Sequence, residues 1–144
     1  MDDLTIRIYD PADQEAVVRL WNDCALVVPW NDPLKDIARK IRFQRELFLV
    51  AVREGTIVGT VMAGYEGHRG WINYLAVFPA CRRKGLGRRL MQEAMKRLFA
   101  LGCPKVNLQI RTSNSHMIDF YRKLGFLPDE VVSLGRRLRK DEDE

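Results

Sequence analysis

Three apolar segments follow one another almost without interruption: "LFLVAV" at 47–52, "IVGTVMAGY" at 57–65 and "WINYLAVF" at 71–78. The connectors between them, "REG" and "EGHRG", are short and carry glycine. A parallel crossover needs a dozen residues or more, so connectors this short predict antiparallel neighbours. The segments are therefore expected to form a meander. That choice restricts what the rest of the chain can build.

The flanking segments supply helices and further strands. "LTIRIY" alternates and predicts a strand. Asp10 and Pro11 then give a cap-and-proline start to a helix with Val17, Leu20, Trp21 and Cys24 on its apolar stripe. Asp32 and Pro33 repeat that signal for a second helix, with Leu34, Ile37 and Ile41 expected inward. After the meander a helix is predicted over 85–101, with Gly102 past its end and Pro104 preventing continuation. "KVNLQIR" reads as a strand, "SHMIDFYRKLG" as a short helix and "VVSLGRRL" as a last strand; a further strand near Phe126–Pro128 is faint. The expected class is α/β, with a mixed, mostly antiparallel sheet flanked by helices. The element order is β-α-α-β-β-β-α-β-α-β. Residues 1–140 are expected to be one domain, and 141–144 a solvated acidic tail.

Composition narrows the function. The net charge is +5 over 144 residues, which favours an anionic partner: nucleic acid, a phosphorylated cofactor or an acidic surface. No apolar run approaches the roughly 20 residues that span a bilayer, and the acidic start "MDDL" is no secretion signal, so a cytoplasmic protein without a membrane partner is expected. Three scattered cysteines and two histidines give no metal-ligand spacing, so no metal is expected. The basic cluster lacks interleaved aromatics, which argues against nucleic acid.

That basic cluster is the chemically informative one. In "AVFPACRRKGLGRRLM", 76–91, an apolar strand runs into a glycine turn and a helix. A helix start leaves four backbone N–H groups without partners and carries about half a positive charge. A phosphate satisfies both, and glycine lets it come close. Neither a dinucleotide-binding GxGxxG nor a P-loop fits, because Leu90 stands at the third glycine position and no GK[ST] exists.

"RRKGLG" resembles the [RQ]xxG-x-[GA] motif of the GCN5-related N-acetyltransferases, the GNAT family, and "NSHMIDFYRKLGF" at 114–126 resembles its second signature. The resemblance covers nearly the whole chain. It implies acetyl-CoA as cosubstrate, transferring an acetyl group directly to an amine of a small molecule or protein. Carried over, Arg82, Arg83, Lys84, Gly85, Leu86, Gly87 and Arg88 would hold the pyrophosphate. Leu75, Ala76 and Val77 would pair with pantetheine beside a family bulge, with the Val77 N–H polarising the thioester carbonyl. Asn114 would contact the cofactor arm or cap its helix. Tyr121 would protonate the leaving thiolate or simply pack. Homodimers are common in the family, so a homodimer is one expectation.

One position departs from a branch of that family. The ribosomal-protein N-terminal acetyltransferases resemble the chain in "RTSN" but carry a glutamate where Gln109 stands. Gln109 accepts no proton, so it would only position an acceptor or a water. Glu66, at the end of the second meander strand, is the nearest substitute base by sequence, and is otherwise a solvated hairpin residue. Trp30 and Asp32 lie in "PWNDP", where the family shapes its acceptor pocket; otherwise they are a hydrophobic plug and a helix cap. The alternatives to an enzyme are a non-catalytic acyl-CoA-binding regulator and, less well supported, a nucleic-acid-binding module.

Overall fold

A computed structural model describes residues 3–141. Five strands stand in the order β1 (Leu4–Ile8), β2 (Phe48–Arg53), β3 (Thr56–Tyr65), β4 (Gly70–Val77) and β5 (Val106–Asn107). The first four pair antiparallel, as the short connectors require, and β5 joins β4 in parallel.

Helices cover both faces. On one side lie α1 (Gln14–Asp23) and α2 (Pro33–Lys40), which bury Val17, Leu20, Trp21 and Ile37 against Phe48, Val50 and Met62. On the other, α3 (Leu86–Ala100) buries Leu90, Met91, Ala94 and Leu98 against Leu49, Val61 and Ile72. The short α4 (Ser115–Lys123) adds Tyr121 to that second core. Strand residues alternate between the two cores, and each is sealed by an amphipathic helix stripe.

The helix starts follow the local chemistry. Asp10 caps a turn at Pro11–Asp13, where Asp13 returns the bond to the Asp10 N–H at 2.9 Å. Arg7 bonds the same Asp13 carboxylate at 2.7 Å, and that bond holds its pKa below the ordinary value. Asp32 accepts from the Leu34 N–H at 2.9 Å at the start of α2. Leu34, expected inward, is exposed, because α2 is short and only its Ile37 face meets the sheet.

The C-terminal third departs most from expectation. The strand expected over 105–111 pairs only at Val106 and Asn107. "VVSLGRRL" forms no strand, and neither does Phe126–Pro128. Val131, Val132, Leu134 and Leu138 are 76–94% exposed. Alternation is a local property, whereas a strand needs a partner edge. Here side chains hold the segment instead: Asp129 accepts from Lys105 at 2.9 Å and from Asn107 at 2.8 Å, and Gln109 bonds the Ser133 hydroxyl.

The tail is not solvated at its first residue. Asp141 is 6% exposed. Its carboxylate accepts from the Asp32 N–H at 2.8 Å and from the Arg39 guanidinium, and its carbonyl accepts from Lys35. The Arg39 bond, followed by the Asp32 N–H, lowers its pKa to about 2. Residues 142–144 lie outside the described residues.

Candidate active site

The site begins at an irregularity in β4. Above it Thr60 faces Ala76; below it Met62 faces Asn73. One β3 residue, Val61, therefore opposes two on β4, Tyr74 and Leu75, which defines a β-bulge. Tyr74 takes a left-handed backbone at φ 50°. That conformation costs a non-glycine residue about 1–2 kcal/mol. The bulge also resets the facing of the strand. Ile72 packs in the α3 core, yet Tyr74 and Ala76 join the α1–α2 core while Leu75 and Val77 face α3.

The reset determines which main-chain groups face outward. The Phe78 N–H donates to the Val58 carbonyl at 2.8 Å, toward β3. Successive donors alternate along a strand, so the Val77 N–H points to the opposite edge. That edge is open, because the β4–β5 ladder ends at Trp71 and Asn107. On the same edge the Val77 carbonyl accepts from Arg82 Nε at 3.1 Å and Cys24 Sγ at 3.3 Å. The two strands thus splay apart beside the bulge.

The glycine turn adjoins this opening. Arg83 (φ 64°) and Gly85 (φ 78°) both take left-handed backbone, and Gly85 is the N-cap of α3 without any side-chain cap. The first bond back into the turn is made by the Arg89 N–H, to the Gly85 carbonyl at 3.1 Å. The N–H groups of Leu86, Gly87 and Arg88 donate no main-chain bond, while the Leu86 side chain is buried and anchors the turn. Arg82, Arg83, Lys84 and Arg88 are exposed around them. This is a donor set suited to an anion, with the helix dipole behind it.

The two glycines differ in purpose. A Cβ on Gly85 would meet nothing within 4 Å; its backbone angle is what calls for glycine. A Cβ on Gly87 would stand 3.3 Å from Phe120 Cζ and 3.6 Å from Val77 Cγ2. Gly87 therefore admits Phe120 of α4 against the start of α3.

Tyr121 lies beside them. Its ring meets Phe120 at 5.1 Å and Phe126 at 5.7 Å, both edge-on, and is buried. No buried side-chain oxygen or nitrogen among the described residues lacks a partner, and the Tyr121 hydroxyl makes no hydrogen bond, so that hydroxyl reaches the surface. Burial raises its pKa to about 12, which keeps it a proton donor. Asn114 caps α4, accepting from the Met117 N–H at 3.3 Å.

Other expected residues are scattered. Glu66 stands in the β3–β4 hairpin, at the opposite end of β4 from Val77. Its carboxylate accepts from the Arg69 and His68 N–H groups, which lower its pKa and tie it to the turn. The structure does not bring it to the opening. Gln109 is bonded to Ser133. Asp32 serves as the α2 cap, and Trp30 is 52% exposed, so it is no plug; the Arg111 guanidinium sits 5.7 Å over its ring.

Sequence reasoning missed the α1–α2 side of the bulge. The Tyr74 hydroxyl donates to Asp36 Oδ2 at 2.6 Å, and its ring stacks on Trp21 at 3.8 Å. Burial and the Asp36 bond push its pKa well above the usual value. Arg137 bonds Asn31 Oδ1 at 2.8 Å, so the C-terminal segment meets the α1–α2 loop at two points, Asn31 and Asp32. Contacts between residues more than 100 positions apart leave no local signal. In the sequence Trp21 shows only as part of the α1 apolar stripe, and nothing singles out Tyr74.

Among the described residues no cluster of His, Cys, Asp or Glu could hold a metal ion, and no helix is long and apolar enough to cross a membrane.

Comparison with known proteins gives consistent relatives. Residues 15–126 match the model of the acetyltransferase (GNAT) family. An acetyltransferase of Yersinia pestis is 46% identical over 140 residues, 97% of this chain and 99% of that protein. The crystal structure of Ard1 from Thermoplasma volcanium aligns with a TM-score of 0.76 at 28% identity, covering 87% of this chain and 83% of its own. The fold is shared too by AAC(6')-Iy, solved in complex with a bisubstrate analogue of CoA and acetylneamine, at TM-score 0.74 and 17% identity over 93% and 97% of the two chains.

Proposed function

The chain belongs to the GNAT acetyltransferase family, and on that premise we propose that it moves an acetyl group from acetyl-CoA directly to an amine of a small molecule or protein. The observation that carries this reading is the open β4 edge beside an uncapped α3 start. Such a pair suits one ligand with an amide-bearing arm and a pyrophosphate. The arm adds to the free edge as a strand would, and the pyrophosphate takes the N–H groups of Leu86, Gly87 and Arg88. Nothing in the turn fills that position.

When bound, acetyl-CoA supplies the activated acetyl thioester. The Val77 N–H donates to the thioester carbonyl oxygen and stabilises the charge that develops there. The Tyr121 hydroxyl, held protonated by burial, gives its proton to the sulfur as the carbon–sulfur bond breaks, and the proton shed by the amine nitrogen as the amide bond forms passes through water to restore the tyrosine. Arg82 is bound at the Val77 carbonyl and frames the edge; Arg83, Lys84 and Arg88 supply the surrounding positive potential. Glu66 is committed to its hairpin, so we assign it no role as base. The acceptor enters between the bulge and the α1–α2 loop, where Trp30, Asp32 and Asp36 stand. With Glu66 excluded and Asp32 and Asp36 engaged in hydrogen bonds, the site selects an amine already neutral. That favours an α-amine, near 7.7–8.0, over a lysine near 10.4.

The test is release of free thiol from acetyl-CoA across a panel of small-molecule amines and peptide N-termini. Turnover with at least one amine is expected. Tight CoA binding without turnover by any amine would instead make the chain a binder.

A further inference from the structure

Thr60 is buried to 0% exposure, although it is polar. Its hydroxyl stands where the β3–β4 register breaks. It donates to the Tyr74 carbonyl at 2.8 Å and accepts from Trp21 Nε1 at 2.9 Å. Tyr74, stacked on the same Trp21, is the left-handed residue of the bulge. A bulge leaves its extra residue outside the ladder, so its carbonyl lacks a strand partner. An interior carbonyl in that condition is costly unless a side chain reaches it.

The bulge matters because direction alternates along a strand. Removing one extra residue from the register would turn every later main-chain donor to the other edge. The Val77 N–H would then point at β3 and leave the opening. Maintaining the bulge is therefore a condition for the oxyanion donor.

We propose that Thr60 is a positioning residue of the acetyl-transfer site: its hydroxyl, held by the Trp21 indole, fixes the Tyr74 bulge and so aims the Val77 N–H at the thioester. This deepens the acetyltransferase reading and rests on it. Thr60 touches neither substrate. Through Trp21 on α1 and Asp36 on α2, the bulge is also tied to the helices that border the acceptor entrance.

Thr60→Val keeps the shape and deletes the hydroxyl; Thr60→Ser restores it. A lost oxyanion donor costs about 10²–10³-fold in kcat, so a donor that is only mis-aimed should cost roughly tenfold or more. The α3 start is untouched, so the pyrophosphate contacts remain, and CoA affinity should fall less than kcat does, its loss confined to the arm on the β4 edge. Thr60→Ser should recover kcat to within about threefold of the wild type. An effect through general stability alone would spare kcat in the folded fraction.

Amide hydrogen exchange supplies a readout independent of turnover. In the wild type the Phe78 amide should be protected and the Val77 amide should exchange readily. Thr60→Val should erase that contrast. A folded Thr60→Val protein with wild-type kcat, or with the contrast intact, would overturn the proposal. If it does not fold, Trp21→Phe replaces it: this variant keeps an aromatic ring against Tyr74, removes the indole donor and leaves a small cavity, so kcat is read per folded molecule. A several-fold loss of kcat with a weakened contrast supports the proposal, and no change in either overturns it. If the wild type acetylates no amine at all, the functional reading fails, and the exchange contrast alone decides this one.

Discussion

The two sides of the opening are built from different materials. On the α3 side the donors are main chain: the outward Val77 N–H and the free N–H groups at the start of α3. On the α1–α2 side the polar groups are mostly side chains: Asp36 bonded to Tyr74, the Asp141 carboxylate accepting from the Asp32 N–H, and Asn31 bonded to Arg137. On the proposed reading, the main-chain groups meet what every acetyl-CoA presents. Side-chain sites recognise one acceptor. The first depends on backbone conformation, the second on which residues a distant segment brings.

If the difference is real, damage to each side should divide cleanly between the two substrates, and damage between them should strike the chemistry. The largest effect is expected at the shared point. Tyr121→Phe keeps the ring packed against Phe120 and Phe126 and deletes the hydroxyl proposed as proton donor. It should lower kcat by roughly 10²–10⁴-fold with both KM values little changed. The raised pKa, about 12, adds a sign. Tyr121 stays protonated as pH rises past the ordinary value, so kcat should show no falling limb from it below about pH 11. Wild-type kcat in the variant, measured where chemistry limits the rate, would return Tyr121 to a packing role.

The second effect separates the glycines. Gly85→Ala places a Cβ at φ 78°, with strain of about 1–2 kcal/mol in the turn. It should raise the CoA dissociation constant about tenfold and leave acceptor KM alone. Gly87→Ala instead presses on Phe120 at 3.3 Å. It should lower the Tm of the apo protein by a few degrees, while CoA still raises the Tm that remains. Equal losses of CoA affinity in both would show that the glycines share one purpose.

These two glycines also show what could be read in advance. The strand–turn–helix unit, the meander and the helix caps each follow from residues close in sequence: Asp10 with Asp13, Asp32 with Leu34, Gly85 with Arg89. So does the basic cluster. The bulge was available only through the family resemblance, because nothing in "INYLAV" marks Tyr74 as left-handed. The alternation of "VVSLGRRL" predicts a strand that does not form, because alternation is local and the segment's restraints are not. Asp129 is held from Lys105 and Asn107, and Asp141 from α2. Glu66 looked like a base by nearness in sequence, yet the hairpin carries it to the far end of β4.

The third prediction addresses the acceptor side. Asp141 pins the α1–α2 loop through the Asp32 N–H. Asp141→Asn weakens that latch without approaching α3. Acceptor KM should rise about tenfold, with acetyl-CoA KM unchanged. The pKa near 2 lies below the usual carboxylate value, so the latch is fully charged above about pH 4 and is lost only as pH falls toward 2. From about pH 5 to about pH 8, acceptor KM should therefore carry no pH dependence from Asp141. A rise in acetyl-CoA KM instead would mean that the two sides are not separable.

The smallest effect is expected at Gln109, the residue that the resemblance in "RTSN" sets against a glutamate. Its side chain bonds the Ser133 hydroxyl and holds the C-terminal segment beside β5. An amide neither gains nor loses a proton near neutrality, so no rate limb can originate there. Gln109→Ala should lower kcat/KM for the acceptor by less than about tenfold, which is below the loss of a general base. The pH profile then decides what takes its place. With two acceptors of different basicity, the rising limb of kcat/KM should move with the amine, because the site takes amine that is already neutral. A limb that stays fixed while the amine changes would reveal a base on the protein. In that case Asp36, whose carboxylate bonds Tyr74 at the bulge, is the group to replace next, since Glu66 is spent on its own turn. A folded, CoA-binding Gln109→Ala protein without activity would break the comparison at its weakest point: a side chain on the acceptor side would then be governing the chemistry itself.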